Sequence, residues 1–218
     1  MPAKGYILGF DTSAAHCAAA LLSGGRVISS RVETMAKGQA ERLMPLLEEL
    51  LAEAGIGWRD LSAIGVGIGP GNFTGIRISV ATARGLALPL GVPAFGVSRF
   101  ETSVFGVNGA ACVALDARHG KIYAQDFADG RPTSDPHLIE LAEAPPTGDS
   151  LIGDGAALLA EATGGTVAKA SAAPIAEAIV QITATRLATG ATPQRPAPLY
   201  LRAADAAPPS DPPPVILD

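Results

Sequence analysis

Two short stretches of the chain carry residues whose type and spacing could do chemistry. Residues 67–79 read GIGPGNFTGIRIS, which gathers Gly69, Gly71, Thr74 and Gly75 around a turn between an apolar run and a helix-like stretch. Turns of this kind can cradle phosphate, because backbone N–H groups at a helix N-terminus attract anions. The second stretch is Asp11-Thr12-Ser13, which ends the apolar run YILGF. A carboxylate placed there can hold a hydrated Mg²⁺ or serve as a base. Asp116 ends the apolar run ACVAL at the corresponding place in the second half.

Neither stretch completes a known nucleotide pattern. Ile76 follows Gly75 where a P-loop requires lysine, and G-x-G-x-x-G fits none of Gly65, Gly67, Gly69 or Gly71. Two readings of the loop therefore stand side by side. It is an anion site, or it is a tight turn in which glycine lets two elements approach closely. The Asp-Thr-Ser stretch is open in the same way, since such side chains also end strands by bonding local N–H groups. The enzyme alternative is an ATP-dependent phosphotransferase using Asp11 and Mg²⁺. The second half is too short and plain to supply its remaining phosphate loops and base.

Other catalytic devices are not legible. His16, His119 and His137 form no H-x-x-x-H, and no cysteine cluster replaces it. His16, ahead of a strand, and His119, in a hairpin turn, read as solvent-facing polar residues. No G-x-S-x-G elbow marks a nucleophile. Cys17 and Cys112 each lie in an apolar, strand-like run and read as reduced core thiols. No intrinsic cofactor or metal is expected.

The elements that must position these residues follow a repeating order. YILGFDTS, CAAALLS and RVISSRVE read as three strands, the latter two joined by the hairpin signal Gly24-Gly25. QAERLMPLLEELLAEAGI is a helix closed by Gly55 and interrupted early by Pro45. LSAIGVGIG is a strand, and GIRISVATARGLALPL a second helix. The order then recurs more loosely, through the strands ACVALDAR, KIYAQDF, HLIEL, SLIGDG and TVAKA and the helices AALLAEAT and APIAEAIVQITATRLATG. A repeated βββαβα unit implies an α/β fold of two lobes, each a mixed sheet, with the second reduced. The expected limits are residues 1–106 and 107–204, the last helix packing back on the first lobe, then a Pro-rich tail over residues 205–218.

Composition narrows the function. With 218 residues, 48% hydrophobic and 17% charged, the chain can bury a sizeable core. A net charge of -5 and scattered basic residues argue against gripping nucleic acid unaided. No apolar run approaches the roughly 18 residues of a membrane span, and no secretory signal opens the chain, so the cytoplasm is expected.

The two helices of the first half are more apolar than a surface helix requires. In the first, Leu43, Met44, Leu46, Leu47, Leu50, Leu51 and Ala54 span about 160° of projection. In the second, Arg77 and Arg84 fall within about 20° of each other, and the rest is apolar or small. Gly75, Ser79 and Ala83 recur every four residues and would admit another helix. The helices pack on their own sheet and each other, or they also form a docking face. The candidate anchors for docking are Leu46, Leu50, Ile76, Ser79, Val80 and Ala83.

Taken together, ILGFDTS, AERLMPLL, GPGNFTGIRIS, DARHGKIY and PLYLR occur in the order and spacing of the TsaB (YeaZ) family, which the chain resembles over residues 7–202. The resemblance implies the shortened two-lobed fold of actin, sugar kinases and Hsp70. It implies a non-catalytic subunit that docks helix to helix on the catalytic homologue TsaD and activates threonylcarbamoyl transfer to the adenosine beside the anticodon of tRNAs reading codons that begin with A. ATP or ADP and the metal would belong to TsaD, and the ATPase TsaE would join the assembly. tRNA would be reached only through the complex, and the isolated chain would be able to pair with itself. Asp11, Thr12, Gly69, Gly71, Thr74 and Gly75 would then be a vestigial nucleotide loop. Many family members carry a histidine where this chain has Gln39, a difference that leaves docking untouched.

Overall fold

The computed structural model describes residues 5–145 and 148–201, so the Pro-rich stretch over 205–218 lies outside the described residues. The first sheet is built from β1 (Tyr6–Asp11), β2 (His16–Ser23), β3 (Arg26–Thr34), β4 (Leu61–Gly67) and β5 (Ala94–Val97), in the order β3-β2-β1-β4-β5. β1, β2 and β3 form an antiparallel meander, and β4 and β5 run parallel to β1, so the sheet is mixed. The β2–β3 turn falls at Gly24 and Gly25, both at positive φ, as a tight hairpin demands.

Alternation along the strands gives this sheet two buried faces. Leu8, Phe10, Leu21 and Ile64 meet α1 (Gln39–Glu53) and α2 (Phe73–Leu90) on the front. Ile7, Ala18, Ala20, Leu22 and Ala63 face the back, where α5 (Ile175–Ala188) brings Ala176 and Val180. Gly9 and Gly65 are the back-facing strand residues directly beneath α5. A Cβ on either would clash with Val180 or Thr183, so the absent side chains set how closely the helix lies.

The second sheet repeats the plan. β6 (Ala110–Arg118), β7 (Lys121–Ala128), β8 (Arg131–Pro132), β10 (Ser150–Ile152) and β11 (Thr166–Val167) run in the order β11-β10-β6-β7-β8, and β9 (His137–Glu140) also pairs with β7. β6 holds an antiparallel neighbour on one side and a parallel one on the other, as β1 does. The reduction is visible where α1 would recur. A single 3-10 turn, Leu141–Glu143, stands in its place, and α4 (Ala156–Thr163) is the counterpart of α2. The strand read in TVAKA is only Thr166–Val167. The lobes are linked through α3 (Arg99–Ser103), whose Ser98 and Glu101 form a capping box.

Pro45 does not interrupt α1, which runs unbroken from Gln39 to Glu53. Proline removes one intrahelical hydrogen bond near the N-terminus. Burial of Leu43, Leu46, Leu47, Leu50 and Leu51 outweighs that loss. An ion network also clamps the helix to β3. Arg42 donates from Nε and Nη2 to Glu33 at 2.7 and 2.6 Å and from Nη1 to Glu49 at 2.6 Å, while Arg31 pairs with Glu49 and Glu53. Hydrogen bonding from Arg42 holds both Glu33 and Glu49 below the ordinary carboxylate range. A lowered carboxylate pKa gives stability that is present above the unfolded-state value and lost as pH falls through the folded one. Arg42→Ala should therefore lower the melting temperature by about 3 °C or less near neutral pH, since these groups are solvated. The deficit should shrink below about pH 4, and thermal melts followed against pH measure both effects.

Candidate functional site

The residues singled out by their chemistry do come together, at the front end of β1 and β4, but they fill the space between them. Asp11, Thr12 and Ser13 are fully buried. Asp11 Oδ1 accepts from the Ser13 amide and hydroxyl, each at 2.9 Å, and lies 2.7 Å from His16 Nε2. Its Oδ2 is buried, has no hydrogen-bond partner among the described residues and faces Gly67. Thr12 Oγ1 donates to the Gly75 carbonyl at 2.7 Å, and the Asn72 amide donates to the Ser13 carbonyl at 2.6 Å. Asn72 in turn caps α2, its side chain accepting from the Gly75 amide at 2.9 Å.

The glycines of the loop are explained by this packing. A Cβ on Gly67 would meet Asp11 Oδ2, one on Gly71 the Ser13 carbonyl, and one on Gly75 the Thr12 carbonyl, each at under 3.0 Å, which real Cβ atoms do not show. Phosphate cradles need N–H groups turned toward open space. Here the first turn of α2 lies against the strand-end turn. Gly71, Asn72, Phe73 and Thr74 lie along the exposed outer edge of the loop, while Gly69 is buried and its carbonyl accepts from the Arg99 amide at 2.8 Å. Arg99 Nη2 also reaches Asp154 of the second lobe at 3.0 Å, so the loop is tied across the lobes.

Asp116, the counterpart of Asp11, is exposed and far less engaged. Its Oδ1 accepts from the Arg118 amide at 2.7 Å. His119 lies in the exposed β6–β7 turn. His16 is not solvent-facing; the short turn at Ala14 and Ala15 folds it back, half-buried, on Asp11. A carboxylate five residues before a strand-opening histidine was the signal, legible only once β1 and β2 are known to pair. Cys17 and Cys112 are free, buried thiols. Burial first of all, with nearby carboxylates, pushes Cys17 up to about 11 and Cys112 up to about 12, so neither is a thiolate nucleophile. Cys112 lines a cavity of about 260 Å³ in the second lobe with Asp126, His137, Leu151 and Leu159. Among the described residues, no three His, Cys, Asp or Glu side chains gather to hold a metal, and no helix is long and apolar enough to cross a membrane.

The six candidate anchors need correction. Leu46, Leu50, Ser79 and Ala83 expose nothing, Ile76 exposes 1% and Val80 3%. They are the chain's own core, and a side chain without exposed surface offers no area to a partner. Ser79 donates to the Gly67 carbonyl at 3.1 Å, so the small-residue row Gly75-Ser79-Ala83 admits the sheet rather than another helix. Helical projection gives the faces of a helix and leaves open which of them the sheet takes.

What α2 leaves uncovered is the opposite side. The sheet covers one flank and α1 another. A third is covered by residues 196–201, where Arg84 Nε donates to the Pro196 carbonyl at 2.6 Å and Arg77 Nε to the Tyr200 hydroxyl at 2.9 Å. Both arginines of the polar stripe thus serve one strap, whose Leu199 amide donates to the Ile68 carbonyl at 2.8 Å. The remaining side exposes Thr74, Ala81, Gly85 and Leu88, the last at 85%, bordered by Phe73 at 42% and Tyr200 at 45%.

Comparison with known proteins places this geometry. A family model described as TsaD, tRNA N6-adenosine threonylcarbamoyltransferase, matches residues 27–149. The tRNA threonylcarbamoyladenosine biosynthesis protein TsaB of Escherichia coli K12 is 36% identical over 126 residues, 56% of this chain and 54% of that protein. Its Bacillus subtilis namesake is 37% identical over 120 residues, 54% of this chain and 52% of that protein. The matched stretch spans about half the length of these curated relatives. The structure of YeaZ from Pseudomonas aeruginosa covers 90% of this chain and 100% of its own at a TM-score of 0.71 and 26% identity. A family model that spans more than half of the chain, several TsaB relatives and a shared two-lobed fold agree: the chain belongs to the TsaB (YeaZ) family, within the broader group that the TsaD model describes.

Proposed function

We propose that the chain acts in tRNA threonylcarbamoyladenosine biosynthesis as a non-catalytic subunit that binds and activates TsaD. TsaD then transfers threonylcarbamoyl to the adenosine beside the anticodon of tRNAs reading codons that begin with A. The observation that carries the reading is the bare side of α2. Thr74, Ala81 and Gly85 are small and exposed, and Leu88 stands out beside them. A Cβ on Gly85 would meet nothing within 4 Å, so a partner helix can come close there. The names of the TsaB relatives support the pathway, and the TsaD family match supports a partner of related fold. The filled junction at Asp11 supports leaving ATP, metal and catalysis to TsaD, with TsaE joining the assembly. A net charge of -5 favours reaching tRNA through the complex, in the cytoplasm.

The test is transfer of threonylcarbamoyl to tRNA by TsaD and TsaE, with this chain present or omitted. Activity is expected only when the chain is added, with none from the chain alone. Ala81→Glu, on the exposed side, should keep the wild-type melting temperature yet weaken TsaD binding by about 100-fold, because docking would bury an unpaired charge. Equal transfer without the chain would sink the role, and unchanged binding by Ala81→Glu would move the docking face elsewhere. Light scattering on the isolated chain reads any homodimer that uses the same side.

A further inference from the structure

Arg77 is held in a way that differs from the other ordered arginines. Arg31, Arg42, Arg99 and Arg186 each pair with a carboxylate of this chain, and Arg84 bonds a backbone carbonyl. Arg77 is ordered by aromatic rings instead. Its guanidinium carbon lies 3.6 Å from the centroid of the Phe73 ring and 5.9 Å from that of Tyr200. The two rings are 5.2 Å apart, and the Tyr200 hydroxyl accepts from Nε at 2.9 Å. Stacking fixes the plane of the guanidinium, and the Nε bond fixes its rotation within that plane. Among the described residues no acceptor meets either Nη group, and no carboxylate approaches Arg77.

A guanidinium fixed in plane and orientation, with its Nη groups unpaired, is preorganised for a bidentate carboxylate. The setting favours a protein as the source of that carboxylate. Phe73 and Tyr200 are both partly exposed, and the adjoining residues on α2 are Thr74 and Ala81. An apolar collar around one charge is the composition of a protein interface hot spot. A nucleic-acid site would instead gather several cations, and the second arginine of this stripe, Arg84, is already bonded to the strap.

We propose that Arg77 is the charged anchor of the α2 docking side and receives an aspartate or glutamate of the partner protein, with Phe73 and Tyr200 excluding water around the pair. The inference rests on the docking reading given above and adds the chemistry the partner must present. Water exclusion makes the pair stronger than a surface ion pair. The strap then has a part in binding, because Tyr200 sets the arginine that α2 offers.

Calorimetric titration of the purified chain with TsaD, at low and high salt, tests it. Arg77→Gln should bind about 30-fold more weakly, as a hot-spot truncation does. Arg77→Lys keeps the charge without the planar fork and should fall between, and Arg77→Glu should be weakest. Tyr200→Phe keeps the ring, loses the Nε contact, and should cost a few-fold. The salt dependence seen for the wild type should flatten in Arg77→Gln. Both altered side chains, Arg77 and Tyr200, are on the surface, and matched thermal melts confirm that the variants are folded. Wild-type binding to TsaD with Arg77→Gln binding equally well overturns this inference alone and leaves docking intact. A wild-type chain that does not bind TsaD overturns the docking reading, and this inference with it. If Arg77→Gln instead weakens tRNA binding by the isolated chain and leaves TsaD binding unchanged, the arginine reads phosphate and the inference is wrong.

Discussion

Gly75→Ala is expected to destabilise the chain by about 3 kcal/mol or more, a large value for one methyl group. Helix propensity alone predicts the opposite sign, since alanine in place of a helical glycine gains about 1 kcal/mol. Gly75 lies in the first turn of α2, and its added Cβ would fall inside contact distance of the Thr12 carbonyl oxygen. Backbone on both sides leaves no flexible side-chain end to give way. Relief would require α2 to move off β1, breaking the 2.7 Å bond from Thr12 Oγ1 to the Gly75 carbonyl. Gly85 supplies the internal control. It is in the same helix at negative φ with nothing near its Cβ, so Gly85→Ala should stabilise by about 0.5–1 kcal/mol. Chemical denaturation read by circular dichroism gives both values. Equal, favourable shifts in the two variants would mean that the junction is looser than described.

The second large effect is at Asp11. Asp11→Ala removes the acceptor for the Ser13 amide and hydroxyl, leaving two donors in a fully buried turn, and the partner of the partly buried His16 Nε2. Each unmet donor costs about 1–3 kcal/mol, so a loss of about 4 kcal/mol is expected. Asp11→Asn keeps one oxygen for these donors and should lose about 1–2 kcal/mol, mainly from an amide placed against Gly67. The pair separates structure from chemistry. A folded Asp11→Asn chain should still support threonylcarbamoyl transfer in the reconstituted system, because the carboxylate serves the turn. Loss of transfer by a well-folded Asp11→Asn protein, or nucleotide turnover by the wild type that this variant abolishes, would instead restore the phosphotransferase alternative.

Much of this was legible from residue order. Alternation and the Gly24-Gly25 turn fix the meander, and the recurrence of strand and helix types predicts two similar lobes. Asp11 at a strand end, and the crowding of glycine after β4, mark the junction. The rest depended on tertiary contacts. Pro45 is tolerated because leucine burial along α1 is strong, a balance that local breaker rules do not weigh. His16 meets Asp11 only through strand pairing. Leu46, Ile76 and Val80 look like anchors because a wide apolar arc is the same whether it meets a sheet or another protein. Nor could the strap be read in advance, since Arg77 and Tyr200 are 123 positions apart.

The placement of α5 on the back of the first sheet bears on how the molecule is made. During synthesis β1 to β5 leave the ribosome well before Ile175–Ala188, so Ala18, Ala20, Leu22 and Ala63 wait uncovered for a helix from the far part of the chain. Residues 196–201, which cover α2, arrive later still. Lobes synthesised first often fold as they emerge, but this one has neither its back layer nor the cover on the flank of α2 until nearly all of the described residues are free. The first lobe is therefore completed late, only after residues 196–201 have been translated.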